Sequence, residues 1–192
     1  VATTSEYDGT NWTAGGALNT ARRFFSGCGT QTAGLAFGGF VGPPDTDQSA
    51  TEEYNGTSWT AANSLAVARR NIAGCGIQTS ALAFGGKNPS SNNLTSAEKY
   101  DGTNWSTTTV LGTGRRGMAG AGSNNTAGLG FGGITTTATE EFNRSVNTIT
   151  GAAWASGGNL GTARYVLAGA GTQTAGLGFG GYAGAVKDET EE

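Results

Sequence analysis

The doublets Gly38-Gly39, Gly85-Gly86, Gly132-Gly133 and Gly180-Gly181 follow Phe37, Phe84, Phe131 and Phe179, so one Phe-Gly-Gly signature recurs at spacings of 47, 47 and 48 residues. Trp12, Trp59, Trp105 and Trp154 keep the same beat, at 47, 46 and 49. A fixed period in this range marks a repeat architecture, in which each copy buries its apolar face only against its neighbours. The 192 residues divide into copies at about 1–46, 47–93, 94–139 and 140–192, within one domain. Val1 opens inside a copy, which suggests a processed product or a piece of a longer chain.

Within a copy the pattern is that of short strands. Ala81-Leu82-Ala83-Phe84 is a brief apolar run with no helical period, and it ends at Gly85-Gly86. A variable loop follows, then Glu98-Lys99-Tyr100, and Asp101-Gly102 predicts a tight two-residue hairpin turn leading to Trp105, as Asp8-Gly9 and Asn55-Gly56 do in earlier copies. Helix is disfavoured throughout, because each of the 35 glycines costs about 1 kcal/mol relative to Ala in a helix interior. Each copy therefore reads as a four-stranded antiparallel meander, with the Leu65–Arg69 stretch as a linker.

The order Arg, apolar strand, Gly-Gly, variable loop, Glu/Tyr, tight turn and Trp resembles the kelch repeat. It is carried by Arg69, Gly85-Gly86, Tyr100 and Trp105, and again by Arg22, Gly38-Gly39, Tyr54 and Trp59. Copy three supplies Arg115, Gly132-Gly133 and Phe142, and copy four Arg164 and Gly180-Gly181. The resemblance implies an all-β fold, a kelch-type β-propeller of four-stranded antiparallel blades. Kelch propellers usually have more blades than the four motifs present, so the chain is expected to belong to a larger propeller or to join copies between subunits, the alternative being closure as an unusually small four-bladed ring. The segments GTQTAGLAFGG and EYNGTSW further resemble Thr/Gly-rich kelch-like repeats of bacteriophage and environmental-virus virion proteins.

The repeated residues carry distinct expectations. The Gly-Gly pairs serve backbone freedom and close approach. The four tryptophans, with Tyr7, Tyr54 and Tyr100, are expected to wedge between neighbouring units. Arg22, Arg69, Arg115 and Arg164 occur in every copy, which suits buried guanidiniums tying strands through backbone carbonyls, and Glu6, Glu53, Glu98 and Glu141 are their expected partners. The next position holds Arg23, Arg70, Arg116 and Tyr165. By the kelch resemblance these four lie at the channel mouth and are the candidate ligand-binding residues for carboxylates or sulfates, the plainer alternative being solvated surface arginines. Asp45 and Asp47 could offer oxygens to Ca²⁺, although a solvated loop is the simpler expectation. Cys28 and Cys75 share a slot that holds Ala121 and Ala170 in later copies, as expected of a small apolar site and not of a disulfide.

Composition excludes several function classes. A net charge of −3 without basic clusters argues against nucleic acid as a partner. No apolar run approaches the roughly 20 residues of a membrane-spanning helix. The chain has 0 His, which removes the usual general base and the commonest metal ligand, so no enzyme activity, catalytic residue, metal or cofactor is expected. The expected function is a structural or adhesive binding module on a virion or an extracellular or cell surface. Its partners would be a protein or glycan ligand and other virion or surface proteins, recognised through loops 40–49, 87–94 and 143–153. An adaptor binding acidic peptides, and a carbohydrate-active propeller working through carboxylates alone, are the competing readings.

Overall fold

The computed structural model describes residues 1–134, 136–143, 153–186 and 190–191, and these form short antiparallel strands with no helix. β1 (Ser5–Tyr7) and β2 (Trp12–Ala14) make an isolated hairpin. Unit I orders β3 (Ser26–Thr30), β4 (Ala33–Phe37), β7 (Thr51–Tyr54) and β8 (Trp59–Ala62), with the small hairpin of β5 (Phe40–Val41) and β6 (Thr46–Asp47) inserted after Gly38-Gly39. Unit II is β9 (Ala73–Ile77), β10 (Ser80–Phe84), β11 (Ala97–Tyr100) and β12 (Trp105–Thr108). Unit III is β13 (Ala119–Asn124), β14 (Ala127–Phe131), β15 (Thr139–Asn143) and β16 (Ala153–Ser156). Unit IV holds β17 (Ala168–Thr172), β18 (Ala175–Phe179) and β19 (Thr190–Glu191). The sheets of units I, II and III each draw two strands from either side of a boundary placed at about 46, 93 or 139, so the structural unit starts midway through the sequence copy.

The turns differ from the expected two-residue hairpins. Tyr54 pairs with Trp59 and Tyr100 with Trp105, which leaves four residues in each loop. The acceptor at the first of these sets the longer turn: Asp101 Oδ1 takes the N–H groups of Asn104 and Thr103 at 2.7 and 2.9 Å. The same two bonds hold the Asp101 carboxyl below its ordinary value. Asn55 does the same for Thr57 and Ser58.

Three seams join the units, and at each a phenylalanine ring packs against a glycine of the next unit's inner strand. Phe37, Phe84 and Phe131 are buried in the core. A Cβ added to Gly120 would stand 2.9 Å from the Phe84 ring, and one on Gly169 would stand 2.9 Å from Phe131, so glycine is what lets each ring lie flat on the next unit's inner strand. Trp105 lies on Phe37 with ring centroids 5.0 Å apart, and Trp154 on Phe84 at 4.9 Å. Gln78 and Gln173 donate back to the carbonyls of Tyr54 and Phe142, and Asn125 to that of Tyr100.

The inner strands β3, β9, β13 and β17 face a shared space of about 250 Å³. At one end of it Asn71 N–H donates to Phe24 O, Gly117 N–H to Asn71 O and Val166 N–H to Gly117 O. Phe24, Asn71, Gly117 and Val166 all have positive φ, between 51° and 65°. Among the described residues no corresponding bond returns from Phe24 to Val166, and the sheets do not close into a propeller. Phe179 is 39% exposed and Gly27 meets no aromatic ring, so the contact made at the other three seams is missing between units IV and I. Trp12 and Tyr7, at 71% and 48% exposure, likewise depart from the expected wedge role. Their hairpin flanks unit I and has no inner strands of its own to cover them.

Candidate functional site: the rim around the inner strands

The rim is held in place by a buried ion-pair clamp that recurs once per unit. Arg69 is fully buried, its Nη1 donates to Gly85 O at 3.2 Å and Ser96 O at 3.0 Å, and its Nη2 pairs with Glu98 Oε1. Arg22 binds Gly38 O, Ala50 O and Glu52; Arg115 binds Gly132 O, Ala138 O and Glu140; Arg164 binds Gly180 O and Glu191. A planar guanidinium with several fixed donors can satisfy two carbonyls and a carboxylate at once, which a Lys ammonium cannot do in that plane. Gly85 and Gly86 have φ of +64° and +98°, and this backbone shape turns the Gly85 carbonyl into the clamp. Burial pulls the Arg69 guanidinium below its ordinary value while Glu98 opposes the shift.

The glutamates in the clamp are not the set expected. Glu98 holds its place, but the other partners are Glu52, Glu140 and Glu191, not Glu53, Glu141 or Glu6. Side chains on a strand alternate faces, so an offset of one residue moves a carboxylate to the opposite side of the sheet. Glu53 instead accepts the Tyr100 hydroxyl at 2.7 Å, and Glu6 accepts that of Tyr54. In the seam between units II and III the equivalent positions are Lys99 and Phe142, so the acceptor and the hydroxyl are lost together.

Each clamp arginine is followed by a rim residue. Arg23 pairs its backbone with Phe40, Arg70 with Lys87, and Tyr165 with Tyr182, while Phe24, Asn71, Gly117 and Val166 are the residues linked by the backbone arc. Arg23, Arg70, Arg116 and Tyr165 thus stand one residue outside that arc, on the same end of the inner strands. The Phe40 ring lies between two guanidiniums, with Arg70 at 4.4 Å and Arg23 at 5.1 Å from its centroid. Tyr165 and Tyr182 stack edge to face at 5.4 Å.

The four rim positions differ in how they are partnered. Arg70 Nη1 pairs with Asp47 Oδ1 at 2.7 Å, and the Asp47 side chain is buried, so this aspartate is not the solvated loop residue expected. The β5–β6 hairpin folds it beneath the rim, where a guanidinium compensates the cost of burying a carboxylate. No group of three or more potential metal ligands occurs among the described residues, and of the oxygen pair considered for Ca²⁺, Asp47 engages Arg70. Arg116 Nη1 donates to Asn93 Oδ1 at 2.7 Å, a neutral acceptor. Arg23 is exposed and no carboxylate pairs with it among the described residues. Arg70 is therefore tied down, while Arg23 and Arg116 keep their charge uncompensated.

Loops 40–49 and 87–94 flank this end, through the bridges of Arg23 to Phe40 and Arg70 to Lys87. Of the third expected recognition loop, residues 144–152 lie outside the described residues. Phe40, Glu52, Glu140 and Glu191 went unrecognised in the sequence; aligning the copies on the residue two before each Tyr would have found Glu52 and Glu98 together. Cys28 and Cys75 are free thiols packed in the apolar seam, and burial pushes both up to about 12.

Among known proteins, no family model matches the chain and no curated protein is similar to it.

Proposed function

We propose that this chain is a segment of a kelch-type propeller and acts as a non-enzymatic structural and adhesive module. Its setting is the surface of a particle or cell, and its Thr/Gly-rich wording fits a phage virion. Its recognition surface is the rim of Arg23, Arg70, Arg116 and Tyr165. The observation that carries this reading is the pairing contrast within the rim: Arg70 is neutralised by Asp47, whereas Arg23 and Arg116 have no acidic partner among the described residues. Two uncompensated guanidiniums, that of Arg23 lying beside the Phe40 ring, suit a ligand with carboxylate or sulfate groups, taken up by charge-assisted hydrogen bonds. A chain with net charge −3 leaves this as a local positive field, and local fields govern encounter with charged ligands.

Isothermal titration with dextran sulfate and with poly-glutamate tests the reading. Binding that weakens as salt rises, and that Arg23→Ala with Arg116→Ala abolishes while the fold's denaturation midpoint is unchanged, is the expected result. Uptake of neither polymer at low salt, or uptake indifferent to those substitutions, would overturn it.

A further inference from the structure

Asp47 and Asn93 occupy the same place in successive units. Each stands opposite the first residue after a Gly-Gly pair, Asp47 across from Phe40 and Asn93 across from Lys87. The residue after each closes the same backbone bond, Gln48 N–H to Gly39 O and Leu94 N–H to Gly86 O, both at 2.9 Å. Each also accepts from the rim arginine 23 residues further on: Arg70 Nη1 lies 2.7 Å from Asp47 Oδ1, and Arg116 Nη1 lies 2.7 Å from Asn93 Oδ1. The two contacts share their geometry and differ in charge.

An amide oxygen and a carboxylate oxygen can both orient a guanidinium, but only the carboxylate cancels its charge. The side chains of Asp47 and Arg70 are 1% and 23% exposed, so solvent screens this pair only weakly. Asp47 Oδ2 is buried without a hydrogen-bond partner, so the second oxygen adds charge to the contact and no bond. Asn93 shows that one neutral oxygen is enough to hold the arginine. Arg116 therefore keeps its full charge, and Lys87 brings a second cation to the backbone of the same asparagine. Neither cation has an acidic partner among the described residues.

We propose that this position selects which rim arginine takes up the ligand: Asn93 presents Arg116 to a carboxylate, and Asp47 withholds Arg70 by standing in for one. The inference rests on the reading of the rim as an anion-binding surface, and adds that the surface is open at Arg116 and closed at Arg70. A ligand carboxylate reaching Arg70 must displace a buried one, whereas at Arg116 it displaces only a neutral amide and two cations steer its approach. Asp47 and Asn93 act through the arginines and are positioning residues.

Isothermal titration with poly-glutamate tests this on the whole chain, Asp47→Asn, Asn93→Asp and the double exchange, all of which preserve side-chain shape. The expected result is binding about fivefold tighter in Asp47→Asn and about fivefold weaker in Asn93→Asp, both effects shrinking as salt rises. The double exchange keeps the net charge at −3, which separates local from bulk electrostatics. In the double exchange the larger loss of binding should pass from Arg116→Ala to Arg70→Ala. Asn93 is exposed, so Asn93→Asp serves even where Asp47→Asn lowers the denaturation midpoint. Single exchanges that bind like the parent would overturn the proposal and leave the rim reading standing, as would a double exchange that still depends chiefly on Arg116. Uptake of poly-glutamate by neither the parent nor Asp47→Asn would overturn both.

Discussion

The Tyr100 hydroxyl reaches across the seam between units I and II to donate to Glu53 Oε1 at 2.7 Å, and the equivalent positions one seam later are Phe142 and Lys99. An acceptor and its donor have thus been exchanged as a pair inside a single chain. The reason is energetic: a buried donor or acceptor left alone costs the full desolvation of that group, whereas removing both costs little.

Tyr100→Phe should destabilise the chain by about 1–2 kcal/mol in urea unfolding, and Glu53→Lys alone by a similar amount. The double substitution, which copies the seam between units II and III, should cost less than the sum, with the coupling read from a double-mutant cycle. Additive losses would show that the two groups act independently.

Burial, and next the bond to Glu53, raise the Tyr100 phenol above its ordinary value. A raised folded-state value means a contribution that is fully present below the unfolded value of 10.0 and is lost as pH climbs through the folded one. Stability of the parent chain should therefore fall from about pH 10 upward more steeply than that of Tyr100→Phe, in equilibrium unfolding followed by fluorescence. Parallel curves would remove the phenol from the account.

Arg69→Met leaves Glu98 buried without its guanidinium and two carbonyls without a donor, and should cost about 3–5 kcal/mol. Arg69→Met combined with Glu98→Leu should recover a large part of the loss, because the uncompensated charge disappears. Chemical denaturation of the three proteins decides the matter, and no recovery in the double variant would mean that the carbonyl bonds dominate.

Phe84→Ala and Phe179→Ala remove the same ring from equivalent positions. Phe84 is fully buried against Gly120 of the next unit, and its loss should cost about 3–5 kcal/mol, while loss of the 39%-exposed Phe179 should cost under about 1 kcal/mol. Equal costs would show that unit IV is covered as completely as unit II.

Cys75 is buried and its thiol is pushed up to about 12, so the thiolate is scarce near neutral pH. Labelling by a thiol reagent should be slow in the folded chain and should speed up in step with global unfolding as urea is added. Rapid labelling without urea would place the seam between units II and III in a loosely packed state.

Much of the fold was legible in the residues because its signals are local. Glycine density excludes helix, the apolar run before each Gly-Gly fits a buried strand, and a period near 47 places equivalent strands in every unit. The clamp arginines were legible for the same reason, since recurrence in all four copies singles out Arg22, Arg69, Arg115 and Arg164. Their partners were not. Glu52 and Glu53 are chemically alike and adjacent, and only the strand register decides which one faces the guanidinium. The hairpin turns were misjudged because Asp101-Gly102 suits several turn lengths, and the register of Tyr100 with Trp105 selects the longer one.

What the amino acids determined unaided is the composition of each unit: antiparallel strands, a buried arginine, and aromatic rings opposite glycine, all set by interactions within about 47 residues. Only the tertiary structure decided which copies of a shared motif are satisfied. Trp105 and Trp12 sit in similar local sequence, yet one is half buried on Phe37 and the other stands in solvent, because burial depends on whether a neighbouring unit supplies the opposite wall. A residue can encode its half of a contact, but the other half is a matter of three-dimensional position.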